Sequence, residues 1–311
     1  MSNSPKSVPG QESLLNRRLF IGSALKAGGL TVLSTIPPVE HAAAFFSAGT
    51  VYSVQDVINI ILREIPGAPF KQTVDTLKSG QADQQVTGIV STMFATIPVI
   101  EEAAKLKANF IIAHEPTFYN HTDDPNWAGQ NEVVKQKQAL LAKYGIAVWR
   151  FHDYWHSHKP DGIRYGVLKS AGWLSYAQAD SAVLNIPTTS LGELVNQLKS
   201  SLQIRHVRII GDLDQRCSKL VLLPGAAGGQ VQISYVEKEK PDVLIVGEVH
   251  EWETAEYIRD ARQFGSKTAL VILGHAVSEE PGMLWLQDWL QPKVPEIKVT
   301  HIASGDPFVW M

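Results

Sequence analysis

The sequence predicts an α/β protein with mixed, mostly parallel sheets, and two observations carry that expectation. Short apolar runs such as "NFIIA", "IAVWRF", "DVLIVG" and "TALVILG" alternate with longer segments whose apolar residues recur at helical spacing, the pattern of strands joined by crossover helices. The runs are also nearly continuous rather than alternating, as strands buried on both faces are. No internal repeat or low-complexity tract interrupts this order.

Residues 1–44 stand apart. They hold a twin arginine (Arg17, Arg18), a modest apolar stretch from Leu19 to Ile36, and small residues at Ala42, Ala43 and Ala44. These are the features of a bacterial twin-arginine export signal cleaved before Phe45. Lys26 and several Gly and Ser residues weaken the stretch as a retained membrane anchor. Cleavage removes four basic and two acidic residues and takes the net charge from −3 to −5, which argues against a nucleic-acid or anionic-membrane partner. The expected mature protein is residues 45–311, periplasmic or exported, with no stable membrane association. Cys217 is the single cysteine, so an internal disulfide and a cysteine metal cage are both excluded.

From residue 53 the elements follow in order. "SVQDVINIILREI" (53–65) has helical spacing behind a Ser able to cap it. "VTGIVS" reads as a strand, "IPVIEEAAKLKA" as a helix, and the next strand ends at His114. "NEVVKQKQALLAKYG" is a helix stopped by Gly145. "IAVWRF" is a strand entering a histidine-rich loop, "HDYWHSHKPDG", after which a helix runs from about Ile163 to Ser170. "SAVLNI", "RHVRIIGD" and "SKLVLLPG" supply strands around the helix "SLGELVNQLKSSL". Then come the strand "PDVLIVGEVH", the helix "EWETAEYIRDARQFG", the strand "TALVILGH", the helix "SEEPGMLWLQDWL" and the strand "IKVTHI". Gly/Pro-rich points near 172–188 and 224–229 mark the seam between two halves, about 45–178 and 179–311.

Four of these strands end in histidine and carboxylate. One delivers His114 and Glu115, and the next His152, Asp153, His156 and His158. The others deliver Glu248, His250 and Glu251, and His275 with Glu279. In open α/β sheets, ligands collect beyond the carboxyl ends of strands. His275 and Glu279 are spaced i, i+4, which places both on one face if the turn there is helical. Imidazole and carboxylate together suit zinc, iron, manganese or nickel. More than four such groups favour two metals about 3.5–4 Å apart over one tetrahedral zinc.

The segment "KANFIIAHEPTFY" resembles the NIF3-like family block in which a strand ends in two metal-binding histidines. "PDVLIVGEVHEWETAEYIRDARQFGSKTALVILGHAVSE" is similar to that family's C-terminal block, and "PGAAGG" and "DPFVW" also fit. The likeness covers nearly all of the mature chain. It implies the NIF3-like fold, two related α/β halves around a dinuclear metal site, in a homo-hexameric ring without the family's optional middle domain. Carried over residue by residue, it implies His114 and Glu115 as the first ligand pair and His275 and Glu279 as the last, with Glu279 bridging two divalent transition-metal ions. It places His152 on a motif histidine and His156 on the ligand aspartate, with Asp153 and His158 as alternatives in the same loop. Glu115 stands where the family has histidine and His156 where it has aspartate, so the exchange keeps three histidines and two carboxylates.

Two functions from different classes follow. One is a metal-dependent hydrolase of an unidentified small molecule, with Glu248 and His250 as supporting groups or general base and Trp127, Tyr154 and Trp155 walling a pocket. The other is a non-catalytic, ring-forming metal-binding scaffold. A smaller expectation is an anion cradle at "PGAAGGQ", where glycines precede a helix.

Overall fold

The expected elements form where polar residues mark their ends. The computed structural model describes residues 51–127, 131–178 and 181–311, all within the unit Ala48–Met311. The expected export signal and its cleavage point lie outside the described residues. Helix α1 (Val54–Leu62) starts at Ser53, whose hydroxyl accepts from the Asp56 N–H while the Asp56 carboxylate accepts from the Ser53 N–H. This reciprocal cap satisfies two donors that a helix start leaves open. A three-residue strand, β1 (Leu77–Ser79), was not signalled in the sequence. Strand β2 (Ile89–Thr92), helix α2 (Ile97–Lys105), strand β3 (Phe110–Ala113), helix α3 (Glu132–Tyr144) and strand β4 (Ala147–Arg150) follow as expected. Gly145 ends α3 at φ 61°, a left-handed conformation that costs glycine nothing.

The histidine-rich loop after β4 is instead a short helix, α4 (Asp153–Ser157). Its cause is Asp75. The buried Asp75 carboxylate accepts from the N–H groups of His152 (2.8 Å), Asp153 (3.1 Å) and Tyr154 (2.8 Å), the donors exposed at a helix start. The turn sends Tyr154 and Trp155 into the core with Trp149 and Phe151, so these two rings pack rather than wall a pocket.

Helix α5 (Gly162–Ser170) leads to strand β5 (Val183–Ser190), helix α6 (Leu191–Ser201), strand β6 (Arg208–Ile210) and strand β7 (Arg216–Leu223). Then come helix α7 (Gly229–Glu239), strand β8 (Val243–Val246), a π-helical turn at Glu251–Ala255 and helix α8 (Glu256–Gln263). Strand β9 (Ala269–Ile272), helix α9 (His275–Leu290) and strand β10 (Val299–His301) complete the chain.

The strands form two five-stranded sheets, ordered β1-β4-β3-β2-β10 and β5-β7-β8-β9-β6. β10, β2, β3 and β4 run parallel and β1 is antiparallel; β7, β8 and β9 run parallel between antiparallel β5 and β6. Every residue of β2, β3, β4, β8 and β9 is buried, and each fully buried Ile or Val there contributes roughly 1.5–3 kcal/mol. Met283, Leu286 and Leu290 of α9 join the core of the first sheet, and β10 pairs with β2. The C-terminal segment therefore crosses the expected boundary at 178 and serves the first sheet. α5 and α9 meet backbone to backbone. A Cβ on Gly166 would lie 2.5 Å from the Gly282 Cα, and one on Gly282 2.5 Å from the Ile163 Cα.

Candidate metal centre

The parallel strands β3, β4 and β9 end beside one another in the cluster that their terminal residues form. His114, the first residue after β3, is fully buried, and its Nδ1 lies 3.0 Å from the Phe151 carbonyl oxygen. A carbonyl only accepts, so Nδ1 carries the proton and Nε2 presents a lone pair. That Nε2 has no hydrogen-bond partner and faces Glu279 Oε2 at 3.8 Å. Glu279 Oε2 is buried as well, with His275 Nε2 at 3.2 Å as its ion-pair neighbour. Two buried electron-rich atoms that face each other without a proton between them are costly. A cation removes that cost, so this donor set fits a metal.

The other expected residues gather around this pair. Glu115 Oε1 lies 3.4 Å from His275 Nε2 and 3.8 Å from His152 Nε2, while its Oε2 lies 3.7 Å from the buried Arg150 guanidinium. Arg150 also donates from Nε to the His114 carbonyl at 3.3 Å and from Nη1 to the His121 carbonyl, so one side chain anchors the whole strand end. His275 opens α9, and the helical turn puts Glu279 on the same face. Glu248 Oε2 accepts from His275 Nδ1 at 3.2 Å and leaves its Nε2 toward the carboxylates. Of the three alternatives in the loop after β4, His156 joins the cluster, its Nδ1 held by Asp161 Oδ2 at 3.0 Å. Asp153 is committed to Thr73, the Val74 N–H and His152 Nδ1. His158 packs among Trp155, Trp285 and Trp289.

His250 is not brought to the cluster. Its ring is stacked on Trp252, its Nδ1 lies 3.1 Å from Glu253 Oε2, and its side chain is 66% exposed. His152 is the residue that the carried-over ligand set leaves out. It stacks on His114 with ring centroids 4.7 Å apart. Its i, i+4 spacing with His156 was the available signal, readable once the loop is known to be helical. Among the described residues two groups could hold a metal ion, His114–His152–His156 and His114–Glu115–Glu279, each with its donor atoms within 4.8 Å of one another.

Charge at the cluster asks for a cation. Burial pushes His114 well below the usual imidazole range, reinforced by His156 and His152. Burial also opposes charge on His275, yet Glu115, Glu248 and Glu279 outweigh it and push the ring up to about 12. Burial would raise Glu115, but His275 and His114 pull it down to about 2. Three carboxylates around one imidazole thus demand positive charge, which a proton or a metal ion supplies.

Gly225 of "PGAAGG" serves this cluster. A Cβ on Gly225 (φ 69°) would collide with the Glu279 carboxylate, and the Gly225 N–H donates to Ser278 Oγ at 2.9 Å. Gly229, at the start of α7, abuts the Glu253 carboxylate, so a protein carboxylate already sits where an anion was expected. A cavity of about 850 Å³ opens beside His156 and Asp161, lined also by Arg164, Tyr165, Leu222 and Tyr235.

The family model described as Duf34/NIF3 (NGG1p interacting factor 3) matches residues 53–307. A Clostridium perfringens protein named GTP cyclohydrolase 1 type 2 homolog is 24% identical over 270 residues, covering 82% of this chain and 98% of its own length. A protein of the same name from Clostridium acetobutylicum is 25% identical over 252 residues, 76% of this chain and 89% of its own. The solved structure of a Bacillus cereus protein related to NIF3 has a TM-score of 0.65 at 17% identity, covering 85% of this chain and all of its own. That likeness establishes the α/β fold with mixed sheets.

Proposed function

The chain belongs to the Duf34/NIF3 family, and on that premise we propose that it is an exported dinuclear-metal hydrolase of a small molecule. The observation that carries the metal reading is the buried His114 Nε2, which has no hydrogen-bond partner and faces the buried Glu279 Oε2 at 3.8 Å. His114, Glu115, His156, His275 and Glu279 would hold two divalent ions drawn from zinc, iron, manganese and nickel. When bound, such ions supply Lewis acidity and a water acidified toward neutral pH.

The protein's own part is orientation. The Phe151 carbonyl, Asp161 and Glu248 each accept from an Nδ1–H and so turn an Nε2 inward. Arg150 fixes one oxygen of Glu115 and leaves the other toward His275. Glu248 positions His275, while His250 is exposed and tied to Glu253. The cavity beside His156 gives a small molecule room to approach. The name carried by the Clostridium relatives supports hydrolytic ring opening as the reaction type. A chain exported behind Arg17 and Arg18 meets little GTP, so the substrate is a small molecule with a cyclic imine, amide or phosphoester to cleave. Export by the twin-arginine route and assembly as a homo-hexamer complete the proposal, on the signal-like residues 1–44 and the family resemblance.

Elemental analysis tests the metal reading on residues 45–311 purified without chelator or affinity histidines. About two ions per chain are expected, and Glu279→Ala should lower retained metal by at least about tenfold. Wild-type metal content in that variant sinks the two-metal reading. Turnover of cyclic-imine, amide or phosphoester substrates that stops on chelation and returns with divalent metal supports the hydrolase. A fully metal-loaded protein that cleaves none of them overturns it in favour of a metal-holding scaffold.

A further inference from the structure

Three imidazoles of the cluster lie against one another, and its carboxylates reach both toward them and toward His275. The rings of His114, His152 and His156 form a nearly equilateral triangle, with centroids 4.7, 4.9 and 5.1 Å apart. Each Nδ1 meets an atom that only accepts, at 3.0 Å in every case: the Phe151 carbonyl oxygen, Asp153 Oδ1 and Asp161 Oδ2. All three rings therefore carry a proton at Nδ1 and turn Nε2 away from that partner, free to meet a cation. The donor atoms of the three lie within 4.8 Å of one another, and His114 Nε2 is buried with no partner of its own. On the other side, Glu115 Oε1 and Glu279 Oε2 converge on His275 Nε2 at 3.4 and 3.2 Å.

We propose that the centre consists of two unlike metal pockets. His114, His152 and His156 form an all-imidazole pocket, in which His152 is a ligand in its own right. Glu115, Glu279 and His275 form a carboxylate-rich one. The inference rests on the metal-centre reading above and goes beyond it in the ligand set and in metal preference. Three neutral nitrogen donors suit borderline cations such as Zn²⁺ or Co²⁺, whereas carboxylate oxygens also suit harder ones such as Mn²⁺. The two pockets therefore fill in order and with different ions. Glu279, 3.8 Å from His114 Nε2, stands between them.

The test uses metal-stripped protein titrated with Co²⁺, followed by visible absorption, with Mn²⁺ as competitor followed by electron paramagnetic resonance. In the wild type, the first equivalent of Co²⁺ should withstand about a tenfold excess of Mn²⁺ and the second should not. His152→Ala should weaken the first equivalent by about tenfold or more and spare the second. Glu115→Gln should do the reverse. His156→Ala, with its fold checked by apoprotein melting, must repeat the His152→Ala loss. Unchanged binding of the first Co²⁺ in His152→Ala, or displacement of both equivalents alike by Mn²⁺, overturns the two-pocket inference while leaving a metal centre standing. No Co²⁺ uptake by the wild type removes the metal centre itself, and this inference with it.

Discussion

β4 and β8 are both parallel strands whose chain continues into a short turn headed by a histidine, and the two histidines meet opposite fates. After β4, His152 opens α4, whose N–H groups are held by the buried Asp75 carboxylate, and its ring is stacked against His114. After β8, His250 opens the π-helical turn, and its ring lies largely in solvent against Trp252. The sequence signal is the same in both places. What differs is a carboxylate from a distant part of the chain, which decides whether the turn is drawn inward. A histidine past a strand end becomes a candidate ligand only where something else fixes the backbone that carries it.

That contrast breaks most visibly at Asp75. Asp75→Ala leaves three N–H groups of α4 without their acceptor, and bonds to a charged group are worth roughly 1.5–3 kcal/mol each. We expect a loss of at least about 4.5 kcal/mol in denaturant unfolding together with much reduced metal retention. A variant with wild-type stability and metal content would show that α4 needs no such anchor.

A second test concerns the pinned loop between β3 and α3. Buried Lys137 donates to the Thr117 carbonyl at 2.7 Å, and burial pushes its ammonium down to about 8. Between pH 8 and the unfolded value near 10.5 the unfolded chain binds more protons than the folded one, so this lysine makes stability rise with pH, by up to about 3 kcal/mol. Lys137→Met should flatten that rise in unfolding measured at pH 7.5 and 10. The same slope in the variant would remove Lys137 as its source.

The smallest effect belongs to the other turn. His250→Ala should change stability by less than about 0.5 kcal/mol and leave metal content at the wild-type level. A fall in metal comparable to that in Glu279→Ala would erase the distinction between the two turns.

Much of this was legible from local pattern. The strand and helix alternation was readable because each element carries its own apolar period and its own cap, as at Ser53 and Gly145. His114, Glu115 and His275 were readable because each lies just past an apolar strand, and Glu279 because it stands i, i+4 from His275. β1 was not, since three residues at an edge leave no period to detect. The conversion of the histidine-rich loop after β4 into α4 was not readable either, because its cause, Asp75, lies 77 residues away from His152. With that helix unseen, His152 and His156 did not register as neighbours on one face, and Tyr154 and Trp155 were expected at a pocket rather than in the core. Arg150 was hidden for a related reason. An arginine at the end of a buried strand reads as an exit to solvent until Glu115 and the His114 carbonyl are found beside it.

The crossing of α5 and α9 at Gly166 and Gly282 bears on how the protein tolerates change. α5 begins at Asp161, which steers His156, and α9 carries His275 and Glu279. The distance between these two groups of donors is therefore gauged by main chain resting on main chain, with no side chain interposed. Core residues elsewhere can drift in volume over evolutionary time without resetting that gauge. A single methyl group at either glycine acts as a shim, prising the two helices apart and opening the cluster from a point outside it.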